Sequence, residues 1–262
     1  MTMSTTTATT TTASSSSSSS KARMDPMRKT ALVGGLLYLA TFVFSIPALG
    51  LYDNVVNNPD YVLGSGDGNG ALWGGLIEVI TGLACIGTAV ALYPVAKRYS
   101  SNGAVGFLAS RILEASMIFV GVISVLSVFT LRQDYAGGDE STVTAIAQAL
   151  IAVKQWTFLL GPGLLAAVNA LCLGVVMYRS RLVPRIIPTI GLVGAPILLA
   201  SFAATFFGVY DQVSGAGLLA ALPIAIWEFS LGVRLTFKGF KAPAVRNEPA
   251  VSTAPPVMAA IA

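Results

Sequence analysis

The sequence predicts an all-α polytopic membrane bundle with six transmembrane helices and both termini in the cytoplasm. Of the 262 residues, 54% are hydrophobic and 11% are charged, and the mean hydropathy is +0.74. This composition lies outside the usual range of soluble globular proteins. Six apolar runs are each long enough to cross roughly 30 Å of hydrocarbon. The charges between these runs alternate in sign from one side to the other.

The six predicted spans follow one another along the chain with short connections. Aromatic residues mark many of their ends, as expected at headgroup depth, among them Tyr52, Trp73 and Tyr178. Residues 141–155 are only moderately apolar, and they fit either an interfacial helix on the outer face or an outward extension of the fourth span. The predicted spans cover residues 31–52, 71–95, 103–131, 156–178, 186–210 and 218–237.

Two low-complexity tails flank the predicted six-helix domain of residues 30–240. Residues 1–29 open with a Ser/Thr tract, and residues 241–262 are rich in Pro, Ala and Val. Neither has an apolar periodicity, so both are expected to be disordered cytoplasmic tails. The Ser/Thr tract lacks the apolar core of a signal peptide. Met24 and Met27, just before Arg28, are candidate start sites of translation.

Charges in the connections predict the orientation. Basic residues concentrate on the side of both termini, which is therefore expected to be cytoplasmic, and Arg132 is the clear exception. Lys154 and Arg234 lie near a predicted boundary, so their side chains are expected to snorkel without a buried partner. The basic residues form no single patch, so we expect anionic lipids and not nucleic acid as partners. The basic set is Lys21, Arg23, Arg28, Lys29, Lys97, Arg98, Arg179, Arg181, Arg185, Lys238, Lys241 and Arg246; the acidic set opposite is Asp53, Asp60, Asp67, Asp134, Asp139, Glu140 and Asp211.

The residue types present argue against most catalytic and metal chemistry. The chain has no histidine, and its two cysteines, Cys85 and Cys172, lie within predicted spans and outside any CxxC motif. We therefore expect no enzymatic activity, no metal site and no cofactor. The glycine-rich run 64–70 lacks the sequence of a phosphate loop or a calcium loop, so it is expected to be a flexible connection.

Four charged residues are predicted to form a polar cluster deep in the membrane: Glu78, Arg111, Glu114 and Glu228. An ionised group in hydrocarbon costs at least about 2.5 kcal/mol, so these side chains should face the bundle interior. Arg111 and Glu114 share a helix face, and Arg111 can bridge two carboxylates. Three acids against one base leave at least one carboxyl that should keep its proton near neutral pH.

Proline interrupts four of the six predicted spans. The strongest interruption is Gly161-Pro162-Gly163, where the missing proline N–H frees a carbonyl, so a bend or a local opening is expected. Asn169 follows Pro162 by seven residues, on about the same helix face. Broken helices occur near transporter substrate sites, and prolines also occur in ordinary membrane helices, so both interpretations stay open.

Two classes of function fit the deep charges. The first is a small proton- or cation-coupled transporter or channel that uses Glu78, Glu114 and Glu228. The second is a non-catalytic structural or partner-binding membrane component in which the charges only clamp helices together. Small-residue surfaces at Gly70-xxx-Gly74 and Gly106-xxx-Ser110 fit packing within one bundle as well as oligomerisation, so the oligomeric state stays open.

Six short motifs are distributed over the whole apolar region. They are Arg28-Lys29-Thr30-Ala31-Leu32, Leu76-Ile77-Glu78-Val79, Arg111-Ile112-Leu113-Glu114-Ala115, Trp156-Thr157-Phe158-Leu159-Leu160-Gly161-Pro162-Gly163, Tyr178-Arg179-Ser180-Arg181-Leu182-Val183-Pro184-Arg185 and Trp227-Glu228-Phe229-Ser230-Leu231-Gly232. Together they resemble a family of bacterial multi-pass membrane proteins, the domain of unknown function 4386 family, over about residues 27–240. The resemblance implies a protein of the bacterial plasma (inner) membrane with the deep glutamates as a shared pattern, and it implies no substrate.

Overall fold

Six helical spans of membrane length make up most of the described chain. The computed structural model describes residues 24–64, 66, 68–135 and 137–241. Each span is long and apolar enough to cross a bilayer, which confirms the predicted all-α polytopic bundle. The helices are α1 Pro26–Asn57, α2 Asn69–Lys97, α3 Ser101–Asp134, α4 Glu140–Phe158, α5 Ala166–Ser180, α6 Ile186–Phe206 and α7 Gly215–Phe237, with a 3-10 turn at Tyr61–Leu63 and a π-helical segment at Leu159–Leu165.

Helix α1 begins earlier than the sequence suggested. Pro26 occupies its first turn, where the absent N–H is not needed, and the Asp25 side chain accepts a hydrogen bond from the Met27 amide at 3.4 Å. Residues 26–29 are therefore helical, and the predicted tail of residues 1–29 is four residues too long. Residues 1–23 and 242–262, the rest of both predicted tails, lie outside the described residues.

The fourth span is one 41-residue helical rod made of α4, the π segment and α5, Glu140–Ser180. Residues 141–155 thus extend the fourth span, and the interfacial-helix alternative is wrong. Asp139 caps α4 through hydrogen bonds from the Ser141 amide and the Thr142 hydroxyl. These bonds, the Thr142 bond first, hold the pKa of Asp139 below its usual range.

The six spans form a closed ring. Each span packs against its neighbours in chain order, and α1 also packs against α7. A glycine allows that closure, since a Cβ added to Gly35 would lie 2.8 Å from the Gly232 carbonyl oxygen. Arg28 ties the same two helices by donating to the Leu235 carbonyl at 3.0 Å and the Thr236 carbonyl at 2.6 Å. The first and last helices therefore start and end side by side.

The helix connections define two faces of the ring. The termini face carries residues 24–25 and 238–241 and the α2–α3 and α5–α6 connections, and the far face carries the α1–α2, α3–α4 and α6–α7 connections. Arg132, the one basic exception on the far face, donates to the carbonyls of Tyr61, Gly64 and Gly66 at 2.8–3.0 Å. Its charge therefore fixes the α1–α2 connection.

Among the described residues, two larger apolar cores and one small cluster, made of Cys85, Ala115, Ile118 and Val122, fill the ring. The core towards the termini face includes Tyr38, Leu92 and Phe107, with residues from α5, α6 and α7. The core towards the far face centres on α1, α3 and the 3-10 turn, and it includes Val55 and Val128. Arg111 lies against Tyr38 and Phe107 of the first core, and Lys154 lies against Tyr52 of the second, so the buried charges pack directly on apolar side chains.

The small-residue surfaces predicted on α2 and α3 pack inside the bundle. A Cβ on Gly70 would lie 2.5 Å from the Leu51 carbonyl oxygen of α1, and a Cβ on Gly106 would lie 2.9 Å from the Cys172 sulfur of α5. Ser110 is hydrogen bonded to Asn169 of α5. These residues bring neighbouring helices of one chain close together.

Candidate functional site: a buried charge layer beside a far-face cavity

A buried arginine joins two carboxylates between α3 and α7. Arg111 donates from Nη1 to Glu114 Oε2 at 3.0 Å within α3, and from Nη2 to Glu228 Oε1 of α7. Arg111 is 1% exposed, and the Glu114 and Glu228 side chains are 6% and 14% exposed. At about 1.5 Å per residue, Arg111 lies roughly 15 Å along α3 from its termini-face end. Three of the four predicted residues therefore converge deep in the bundle.

Glu114 is held by a second helix. Asn169 of α5 donates from Nδ2 to Glu114 Oε2 at 2.5 Å, and the Asn169 carbonyl oxygen accepts from the Ser110 hydroxyl. The Ser110 hydroxyl also lies 2.7 Å from the Gly106 carbonyl oxygen of its own helix. Since both ends of the Asn169 amide are bonded, its orientation is fixed, and Glu114 is locked between α3 and α5.

Aromatic rings and a thiol surround the Arg111 guanidinium. The guanidinium carbon lies 5.0 Å from the Tyr38 ring centre and 5.9 Å from the Phe107 ring centre, within the range of cation–π attraction. Arg111 Nη1 also lies 3.6 Å from the Cys85 sulfur of α2. The charge is thus in contact with residues from α1, α2, α3 and α7.

Glu78 does not join this cluster. It pairs with Lys154 of α4, whose Nζ lies 2.7 Å from Glu78 Oε1 and 2.6 Å from Oε2. The Lys154 and Glu78 side chains are 10% and 11% exposed, so the prediction that Lys154 snorkels without a partner is wrong. Lys154 lies 14 residues inside the fourth span, roughly 21 Å from its far-face end, because 141–155 belong to that span. Arg234 lies partly buried near the end of α7, without an ion-pair partner in the described ranges.

Two glycines make room for the Lys154–Glu78 pair. A Cβ on Gly121 of α3 would lie 2.9 Å from Thr157 Oγ1 and 3.1 Å from Lys154 Cδ. A Cβ on Gly74, one turn before Glu78, would lie 2.6 Å from the ring of Tyr52. The Tyr52 ring in turn lies 4.7 Å from Lys154 Nζ. The ammonium group therefore rests between a carboxylate and an aromatic face.

The predicted helix break is a π-helical segment and not an interruption. Gly161, Pro162 and Gly163 all lie within Leu159–Leu165, and Asn169 follows in α5. Pro162 has no N–H to offer the Phe158 carbonyl four residues earlier. Gln212, in the α6–α7 connection, donates from Nε2 to that carbonyl oxygen at 3.2 Å. The helix is therefore continuous through these residues, and the sequence did not indicate the Gln212 contact.

A cavity of about 700 Å³, called here the far-face cavity, lies beside the Lys154–Glu78 pair. Its walls are the end of α1, the end of α4 and the α6–α7 connection: Leu49, Tyr52, Asp53, Val56, Asn57, Lys154, Gln155, Trp156, Phe158, Leu159, Thr205, Gly208, Tyr210, Asp211, Gln212 and Val213. A second cavity of about 130 Å³ adjoins it and reaches Pro162 and Gly163. Neither of these two cavities is lined by Arg111, Glu114 or Glu228.

The family assignment rests on a match that covers most of the folded chain. A family model described as Domain of unknown function (DUF4386) matches residues 33–239. The chain belongs to this family. No curated protein and no solved structure matches the chain. The match confirms the resemblance seen in the motifs and includes every residue of the two buried ion-pair groups.

In this DUF4386 protein, the buried charges comprise two arrangements about 10 Å apart along α2. That spacing follows from the separation of seven positions between Glu78, which contacts Lys154, and Cys85, which contacts Arg111. Four residues of these arrangements were not predicted as members: Lys154, Ser110, Tyr38 and Cys85. Reading residues 141–155 as part of the fourth span would have placed Lys154 inside the bundle. Within the described ranges, no group of three His, Cys, Asp or Glu side chains is placed to hold a metal ion.

Proposed function

We propose that the protein is a small proton- or cation-coupled transporter of the bacterial plasma membrane, without enzymatic activity. The observation that supports this proposal is the bridge from Arg111 to Glu114 and Glu228. Two carboxyls share one guanidinium in a layer that is almost free of solvent exposure. Full ionisation leaves one uncompensated negative charge there, and the uptake of one proton or cation removes it.

Glu228 is the carboxyl proposed to take up the proton. Glu114 accepts hydrogen bonds from Arg111 and from Asn169, whereas Arg111 is the hydrogen-bond partner of Glu228 among the described residues. The Glu228 side chain is also the more exposed of the two. Protonation of Glu114 would weaken two hydrogen bonds to a charged acceptor, whereas protonation of Glu228 would weaken one.

Protonation of Glu228 would loosen α7 from α3. The Arg111–Glu114 pair lies within one helix, so the Arg111–Glu228 pair is the member of the bridge that joins two spans. Pro223 lies inside α7, where it removes one backbone donor, and a Cβ on Gly194 of α6 would lie 2.7 Å from the Pro223 Cβ. This closely packed helix pair is a suitable element for the rocking motion of a transporter.

The proposed orientation places the termini face in the cytoplasm. Lys29, Arg98, Arg179 and Lys238 lie at that face, and a basic cytoplasmic side is the usual arrangement in membranes. The same residues are proposed to contact anionic lipid headgroups, with no role for nucleic acid. The far-face cavity then opens to the outside of the cell.

A structural clamp is the second candidate, and it also has a specific observation in its favour. Arg111 is almost fully buried against Tyr38 and Phe107, and the two cavities do not reach it. A fully paired and enclosed ion pair can tie helices together without moving charge. On this reading, substitutions in the bridge lower stability and change no flux.

Proteoliposomes distinguish these two candidates. Under an imposed potassium diffusion potential, we expect wild-type protein to take up protons faster than empty liposomes, and Glu228→Gln to abolish the excess. The matched control is Glu140→Gln, which makes the same chemical change at an exposed position in the first turn of α4. Proton uptake equal to that of empty liposomes in the wild type, or uptake unchanged by Glu228→Gln, would reject the transporter and leave the clamp.

A further inference from the structure

The far-face cavity has the size and the walls of a ligand site. Its volume of about 700 Å³ falls within the range of small-molecule pockets, roughly 300–1,000 Å³. Three separate parts of the chain form it: the end of α1, the end of α4 and the α6–α7 connection. A helix bundle commonly places ligand sites at such a junction between elements.

The charges on the cavity walls favour a cation. Asp53 on α1 and Asp211 in the α6–α7 connection both line the cavity, and both are exposed. Lys154 also lines it, but both oxygens of Glu78 already neutralise its ammonium group. The wall therefore carries two carboxylates without an ion-pair partner among the described residues.

The apolar part of the wall is rich in aromatic rings. Tyr52, Trp156, Phe158 and Tyr210 line the cavity, and aromatic faces attract ammonium groups. Lys154 shows this chemistry within the protein, since its Nζ lies 4.7 Å from the Tyr52 ring centre. An ammonium ligand with an apolar substituent would match this lining.

We infer that the far-face cavity binds an organic ammonium ion with an apolar substituent, held by Asp53 and Asp211 and by the aromatic wall. This ligand is additional to the proton or cation of the proposed transport. Two sources supply the same chemistry, a soluble amine and the choline or ethanolamine headgroup of a lipid. Sodium or another small inorganic cation would leave the aromatic wall without a partner.

Calorimetric titration of the purified full chain in a maltoside detergent tests the inference. The probe is benzyltrimethylammonium, and benzenesulfonate at the same ionic strength is the matched anion. We expect the ammonium probe alone to bind, and Asp53→Asn and Asp211→Asn each to weaken it by roughly tenfold. The matched control is Asp134→Asn, the same change at an exposed residue at the end of α3, outside the cavity lining; we expect it to leave the affinity unchanged.

Competition separates the two sources. Displacement of the probe by a short-chain phosphatidylcholine, but not by the matched phosphatidylglycerol, assigns the site to a lipid headgroup, and no displacement by either assigns it to soluble amines. Failure of the probe to bind at millimolar concentration overturns the inference. Equal binding of benzenesulfonate, or binding that both substitutions leave unchanged, overturns it as well.

The result is separable from the transport proposal. Binding in detergent requires no proton movement, so a protein that binds the probe and shows no proton uptake keeps this inference and loses the transporter. Proton uptake without probe binding keeps the transporter and overturns the ammonium site.

Discussion

Substitution of Lys154 and Glu78 tests whether Lys154 is paired inside the bundle or extends to the membrane interface. If Lys154 snorkels to the interface, its substitution costs little. If the pair is buried, Lys154→Met leaves the Glu78 carboxylate uncompensated, a loss of about 3–5 kcal/mol in the free energy of unfolding. The double variant Lys154→Met with Glu78→Gln removes both charges, and its loss should be much smaller than the sum of the single losses.

The magnitude follows from the geometry. Nζ lies 2.6 and 2.7 Å from the two carboxylate oxygens, so the Coulomb attraction is about 6 kcal/mol at an effective dielectric constant of about 20. Desolvation of two side chains that are 10% and 11% exposed offsets a large part of this. We therefore expect a coupling energy of about 2–4 kcal/mol between the two substitutions.

A double-mutant cycle measures this coupling. Wild type, Lys154→Met, Glu78→Gln and the double variant are unfolded in mixed micelles of increasing denaturing detergent, and the free energies are compared. The control cycle combines Lys154→Met with Lys97→Met, a substitution of an exposed residue at the end of α2. The coupling energy in this control cycle should be near zero. A coupling below about 0.5 kcal/mol in the first cycle would refute the buried ion pair.

Three further predictions follow from single contacts. Gly82→Ala should lower stability by about 1–3 kcal/mol, because its Cβ would lie 2.5 Å from the Phe119 ring; Gly50→Ala, with nothing within 4 Å, should have no such cost, as thermal unfolding can show. Gln212→Leu should remove the side-chain hydrogen bond to the Phe158 carbonyl of the fourth span and cost about 1 kcal/mol, with faster hydrogen exchange confined to the α6–α7 connection. Arg132→Gln should release three carbonyls of the α1–α2 connection, so limited proteolysis there should speed up while the six spans stay intact.

The sequence was sufficient for the spans and for the bridge at Arg111. Apolar length reports directly on membrane crossing, and the spacing of Arg111 and Glu114 follows from helix geometry alone. The contact of Arg111 with Glu228, 117 residues away, was one of the pairings expected from the cost of unpaired charge in hydrocarbon. The cost of burying an unpaired charge can therefore indicate a contact between residues that are far apart in the sequence.

The partner of Glu78 could not be obtained in the same way. Lys154 stands in a stretch whose hydropathy is intermediate, so composition left its depth undecided, and a lysine near a boundary ordinarily snorkels. What places it inside is the close approach of α3 and α4 at Gly121 and the flat packing of Tyr52 over Gly74. Such contacts between helices depend on rotation angles that the amino-acid pattern does not fix. The Gln212 contact was missed for a related reason, because loop side chains carry no periodicity.

The bridge at Arg111 also has a consequence for biosynthesis. Glu114 follows Arg111 by three residues, but Glu228 is made 117 residues later. At a synthesis rate of about 5–20 residues per second, Glu228 is synthesised roughly 6–23 s after Arg111. During that interval Glu114 is the nearby counter-ion on the same helix, so the intrahelical pair can lower the cost of delivering the third span to the membrane. The last helix then completes a charge arrangement that the third one began, and closes the ring against the first.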